Sequence, residues 1–218
     1  MIKFAPQLIN LLATLILLLS FAMISQRRIV SLINLFMMQG LALVVTSFLL
    51  GYVTKQHDLY VSGALTLVLK VILIPWMLHR MIRKLNVRWD IETLLNVPTT
   101  MLVGIGLVIF SFSLALPVSR LSSSLAGGSL GIALSCVMLS FLMLITRSKA
   151  VPQVIGFLSM ENGLIFAATA VTSGMPMVEF GIALDVLVGV LILGVFMFQI
   201  REKFDTLDIH HLEKLKED

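Results

Sequence analysis

The stretch Ile29-Val-Ser-Leu-Ile-Asn-Leu-Phe-Met-Met-Gln-Gly-Leu-Ala-Leu-Val-Val-Thr-Ser-Phe-Leu-Leu-Gly-Tyr-Val-Thr54 runs for 26 residues without an Asp, Glu, Lys or Arg. A helix crosses a hydrocarbon core of roughly 30 Å in about 20 residues, so this one segment is long enough to span a bilayer. Charge-free windows of comparable length recur at 6–26, 93–119 and 121–146. The chain of 218 residues is 58% hydrophobic and 13% charged, with a mean hydropathy of +1.02. A soluble domain is nearer 45–50% apolar and about 25% charged, so that class is excluded. The sequence reads as an all-α, polytopic membrane protein.

Seven spans account for it, at about 6–25, 29–51, 60–79, 98–118, 124–146, 152–173 and 178–200. An odd number places the termini on opposite sides. One side then carries Lys3, Lys55 and Arg120, three basic residues. The other carries twelve: Arg27, Arg28, Arg80, Arg83, Lys84, Arg88, Arg147, Lys149, Arg201, Lys203, Lys214 and Lys216. Cytoplasmic loops hold the excess of Lys and Arg, so the N-terminus is expected outside and the C-terminus in the cytoplasm. The basic segment His79 to Trp89 reads as a cytoplasmic connector, with Trp76 and Trp89 near the interface. The first span is longer than a signal-peptide apolar region and lacks a clear cleavage site, so it is expected to be retained. Net charge +4 reports topology here rather than nucleic-acid binding.

Composition also narrows the chemistry. The single cysteine, Cys136, lies in an apolar stretch, and the four histidines show no metal-ligand spacing, so neither a disulfide framework nor a metal or iron–sulfur site is expected. No nucleophile–base pair or phosphate loop is visible. Gly104-Ile-Gly106 has no following glycine and no preceding strand, and is not a dinucleotide motif. Gly127-x-x-x-Gly131 has the form of a close helix contact.

Three ionisable residues fall inside the expected spans: Lys70 in the third, Glu161 in the sixth and Asp185 in the seventh. Each costs about 2.5–3.5 kcal/mol at a helix centre, so their retention asks for a reason. Ser62, Thr66 and Lys70 share one face at i, i+4, with Pro75 expected to kink the helix. Gly181, Asp185 and Gly189 share another face. Asn162 adjoins Glu161, Gln153 lies two turns before it, and Gln39, with Asn34 upstream, is the uncharged counterpart in the second span. Lys70 paired with Glu161 or Asp185 can simply lock the bundle. Alternatively the three form a proton or ion path, since buried ionisable groups have shifted proton affinities. One amine and two carboxylates cannot all pair, which leaves a proton-binding group.

Aligning Gln39 with Glu161 sets Ile33 against Ile155 and Met38 against Met160, with a basic turn before each segment. The expected spans therefore form a parallel 3+1+3 repeat in which Lys70 occupies the place of Asp185. The units are 1–90, a linking span at 91–120, a second three-helix unit at 121–203 and a tail at 204–218.

The second unit, with Gly156-Phe-Leu-Ser-Met-Glu-Asn-Gly163 and Ile182-Ala-Leu-Asp-Val-Leu-Val-Gly-Val-Leu191, resembles subunit K of respiratory complex I and the small subunit of Mrp antiporters. Over the full length, and most specifically in Met160-Glu-Asn-Gly163, Gly181-Ile-Ala-Leu-Asp185 and Thr206-Leu-Asp-Ile-His-His-Leu-Glu-Lys-Leu-Lys216, the chain resembles hydrogenase-4 component E, a formate-hydrogenlyase-type membrane subunit. The resemblance implies a non-redox membrane-arm subunit of the prokaryotic inner membrane, with no catalytic centre or cofactor of its own. A Ni–Fe centre and iron–sulfur clusters would belong to partner subunits. Those partners would be antiporter-like membrane subunits, a membrane anchor of the complex I type and a hydrogenase arm, with lipids and without nucleic acid. Glu161 and Asp185 would serve as proton-relay sites with Lys70 as partner, supported by Gln39, Thr66 and Asn162. The competing expectations are a structural scaffold of the same complex and an independent small ion transporter.

Overall fold

A computed structural model describes residues 5–85, 95–121 and 126–172. The expected seventh span at 178–200, with Asp185 and the polar tail, lies outside the described residues. So do Arg88 and Trp89 of the connector.

The described residues are helical and form no sheet. α1 is Ala5–Ser25, α2 Ile29–Thr54, α3 His57–Thr66, α4 Ile74–Leu85, α5 Val97–Leu121, α6 Ala126–Thr146 and α7 Ala150–Thr172. A π-helical segment, Leu67–Leu73, joins α3 to α4 without a break, so these three pieces make one long span. Among the described residues, six helices are thus long and apolar enough to cross a membrane, matching the first six expected spans to within a few residues.

The turns have local causes. Between α1 and α2 the Gln26 side-chain oxygen accepts from the backbone N–H groups of Arg27 and Arg28, at 3.0 and 3.4 Å. α2 ends where Lys55 enters the left-handed region at φ 56°, a common way to stop a helix. Gln56 is extended and α3 begins at the next residue. The expected kink at Pro75 takes the form of the widened helix before it. Pro75 has no N–H and its ring would crowd the carbonyl four residues back, at Val71. The Ile74 N–H instead bonds Leu69, five residues back, and the His79 ring nitrogen Nδ1 lies 2.8 Å from the Pro75 carbonyl.

α1 packs on α2 and on α6, α2 on α7, and α6 on α7, while the third span lies along α2 and α5 covers α6. Two apolar clusters fill this bundle among the described residues. One contains Met23 and Ile24 of α1, Phe36 of α2, Ile74 and Leu78 of α4, Leu139 of α6 and Leu158 of α7. The other contains Ile16, Leu43, Cys136 and Phe166. Between them lie Ser20, Gln39, Lys70 and the Glu161–Asn162 pair, all buried. The protein is therefore layered apolar, polar, apolar along the helix axes.

Arg147 departs from its expected role as a loop charge. It is buried, and its Nη2 donates to the carbonyls of Met23 and Ile24 at 3.1 and 2.6 Å. These belong to the last turn of α1, whose carbonyls have no partner within the helix. Burial lowers the guanidinium pKa from its ordinary value, although arginine remains charged at any physiological pH. Gln153 Nε2 in turn donates to the Arg147 carbonyl at 2.8 Å, so Gln153 belongs to this corner and not to the Glu161 face. Asn34 is exposed.

Glycine sets one close approach. A Cβ on Gly163 would lie 3.1 Å from the Val137 backbone nitrogen and 3.2 Å from Cys136 Cβ. α7 could accept it only by moving away from α6. A Cβ on Gly106 would meet nothing within 4 Å. Gly163→Ala should therefore destabilise the chain by about 1–3 kcal/mol, whereas Gly106→Ala should be neutral or gain up to about 1 kcal/mol from helix propensity. Thermal unfolding in detergent checks both, and equal effects would contradict the packing.

Candidate functional site

The polar layer is built from one residue on each of three membrane-spanning segments and two on a fourth, α7. Lys70 sits at the centre of the π-helical segment, and Gly40 of α2 faces it: a Cβ there would be 3.8 Å from Lys70 Cβ and 3.3 Å from Val71 Cγ2. The missing side chain lets the two backbones close up, so the lysine passes α2 and reaches α7. Its Nζ lies 3.0 Å from Glu161 Oε1 and donates to Asn162 Oδ1, also at 3.0 Å. Of the two carboxylates left open by the sequence, the described partner of Lys70 is Glu161.

The network continues away from the ammonium. Asn162 Nδ2 donates to Gln39 Oε1 at 3.1 Å, Gln39 Nε2 donates to Ser20 Oγ at 2.9 Å, and the Ser20 hydroxyl donates to the Ile16 carbonyl at 3.0 Å. Every donor in this chain points away from Lys70. An ammonium has no acceptor to offer, and its charge fixes which end of each amide faces it. Beside the network Ser140 donates to Ser159 at 2.8 Å, tying α6 to α7. Thr66, one turn from Lys70, is buried, as is Ser62 a turn before it.

The carboxylate is under-coordinated. Neither oxygen of Glu161 accepts an aligned hydrogen bond from the described residues, so its described stabilisation is the contact of charges with Lys70. Glu161 is 2% exposed and Lys70 1%. At 1.5 Å per residue, Glu161 lies about 16 Å from the start of α7, near the middle of a roughly 30 Å core. A charge pair at that depth, with acceptor capacity to spare on one member, is suited to binding or exchanging a proton. Among the described residues no group of three His, Cys, Asp or Glu side chains forms a metal site.

Lys70, Glu161, Asn162 and Gln39 are thus brought together, Thr66 lies on the approach to them, and Asp185 is outside the described residues. Ser20 was not expected from the sequence. Serines are frequent in spans and usually bond their own helix, as Ser111 and Ser135 do here, so nothing local marks Ser20 as an acceptor for Gln39.

No family model and no solved structure matches the chain. It is 29% identical over 194 residues to the uncharacterized protein Rv0085 of Mycobacterium tuberculosis, covering 88% of each chain. It is 24% identical over 210 residues to hydrogenase-4 component E of Escherichia coli, covering 96% of this chain and 97% of that one. The same identity and coverage hold for hydrogenase-4 component E of Shigella flexneri. The chain is similar to these proteins along nearly its whole length.

Removing one member of a buried ion pair typically costs about 3–5 kcal/mol, while an interhelical hydrogen bond in a membrane is worth about 0.6–1.7 kcal/mol. Lys70→Met is therefore expected to destabilise by about 3–5 kcal/mol, and Gln39→Leu by about 1–2 kcal/mol. Adding Glu161→Met to Lys70→Met should recover part of the loss, because the uncompensated charge is gone. Thermal midpoints of the detergent-purified variants measure this. Strictly additive losses would contradict the pair.

Proposed function

We propose that this chain is a membrane-arm subunit of a hydrogenase-type or complex I-like energy-converting oxidoreductase, and that Glu161 is its proton-exchanging group. The observation that carries this reading is the buried Lys70–Glu161 pair at mid-bilayer depth. The full-length similarity to hydrogenase-4 component E supports the assignment to a hydrogenase complex. Lys70 acts as the fixed counter-charge. Asn162 and Gln39 hold its ammonium through an oriented amide chain, Thr66 lines the approach, and Asp185 supplies a second carboxylate from the seventh span.

The parallel duplication fits this reading. The first helices of the two units, α1 and α6, pack on each other, and so do the second helices, α2 and α7. Gln39 and Asn162, at the aligned centres of α2 and α7, are hydrogen-bonded across that contact. Such pairing of equivalent helices is expected of two like units related about an axis normal to the membrane. The excess of basic residues puts the N-terminus and the Lys55 turn outside the cell membrane and the C-terminus in the cytoplasm. Redox centres belong to partner subunits, with antiporter-like subunits and a membrane anchor as neighbours. Redox-driven changes in those neighbours would bias the charge state of Glu161 through the polar layer.

A scaffold reading has one observation in its favour: the Lys70 contacts tie the third span to α7 across α2. In sealed vesicles bearing the assembled complex, Glu161→Gln is expected to lower the number of protons moved per electron by a large fraction while intact complex persists on a native gel. Unchanged proton movement would overturn the relay. Loss of intact complex would favour the scaffold.

A further inference from the structure

The two halves of the third span bury different kinds of residue. Beyond Lys70, Ile74, Leu78 and Ile82 enter an apolar cluster. On the other side of Lys70, the buried residues of α3 are Leu59, Ser62, Gly63 and Thr66, and only Leu59 is large and apolar. On α2, Ser47 is buried against this half. The second apolar cluster draws its buried members from α1, α2, α6 and α7 and takes none from α3. Among the described residues, this half of the third span therefore buries hydroxyls, and not large apolar side chains, on the face that carries Lys70.

Two atoms of the seam between α2 and α3 point to a small polar ligand. Ser47 is 1% exposed, and its Oγ has no hydrogen-bond partner among the described residues. It faces α3, since a Cβ on Gly63 would lie 3.4 Å from Ser47 Cβ, with the Phe48 ring at the same distance. Gln56 Oε1, in the turn at the end of the seam, is also buried without a partner among the described residues. Buried hydroxyls and amide oxygens in this state are the usual partners of bound water.

We propose that the α2/α3 seam binds a file of water molecules running from the Gln56 turn past Ser47, Ser62 and Thr66 to Lys70 and Glu161, and that this file is the access route for the exchanged proton. The role in proton access rests on the relay reading above, whereas the hydration of the seam does not. On the helix rise, Ser62 lies about 8 Å and Thr66 about 14 Å beyond the start of α3. The file thus opens on the side bearing Lys55 and His57. The opposite half of the span, packed with Ile74, Leu78 and Ile82, offers no comparable lining.

Thiol reactivity tests the file, because methanethiosulfonate reagents attack the thiolate, which forms in water and not in lipid. In the full chain carrying Cys136→Ala, Ser47→Cys and Ser62→Cys are near-isosteric replacements. Val61→Cys, beside Ser62 but 59% exposed on the outer surface of the bundle, is the control for depth. A cationic, membrane-impermeant methanethiosulfonate should label both seam cysteines at least about tenfold faster than the control, and only from the Lys55 side of oriented vesicles. Labelling no faster than the control at both positions, or from the opposite side, would overturn the route. Fast labelling together with unchanged proton movement in Glu161→Gln would retain the water file and reject the relay.

Discussion

A lysine and a glutamate that meet in the middle of a membrane bundle constrain everything placed around them. Each charge is costly in hydrocarbon, and neither can be left alone without a penalty several times that of a lost hydrogen bond. The third span must therefore stay in register with α7, although α2 lies beside both. Gly40 allows this by removing a side chain where the lysine passes. The π-helical segment carries Lys70 at its centre, and Pro75 gives it a covalent cause. A widened helix turn at a functional side chain is a recurring arrangement, and here proline and lysine five residues apart produce it.

The rest of the polar layer follows from the ammonium. Lys70 offers only donors, so Asn162 must present its oxygen, then Gln39 must present its oxygen to Asn162, and Ser20 must accept from Gln39. The amide chain has one orientation as long as the lysine is charged. Four spans are thereby joined at one level, and the apolar clusters on either side need only match in shape. Between membrane helices there is little hydrophobic driving force, so polar contacts and close packing at small residues such as Gly163 carry a larger share of specificity than in a soluble core.

Much of this was legible in the sequence. Of the seven spans expected from the apolar stretches, the six that fall among the described residues are reproduced there, and the rarity of charge within them singled out Lys70 and Glu161. The i, i+4 spacing of Ser62, Thr66 and Lys70 placed these residues on one buried face. Other residues were legible only in part. Arg147 looked like any basic loop residue, since a positive charge at the cytoplasmic end of a span is the ordinary pattern. Its burial against the last carbonyls of α1 depends on α6 ending beside α1, a contact between segments more than a hundred residues apart. Gln153 shared a helix face with Glu161 by periodicity, yet its side chain turns back to the Arg147 carbonyl.

The sequence by itself determined that the chain is built for a membrane, roughly where its first six spans lie, and that Lys70 and Glu161 fall within them. Those properties depend on composition over about 20 residues and on the high cost of a buried charge, both of which are local. Tertiary structure alone decided that Lys70 meets Glu161, that Ser20 and Gln39 complete the chain, and that Ser47 turns toward α3. Each of these depends on which helix faces which. In a bilayer that choice is made by packing and hydrogen-bond geometry between distant segments, and hydropathy along the chain carries no record of it.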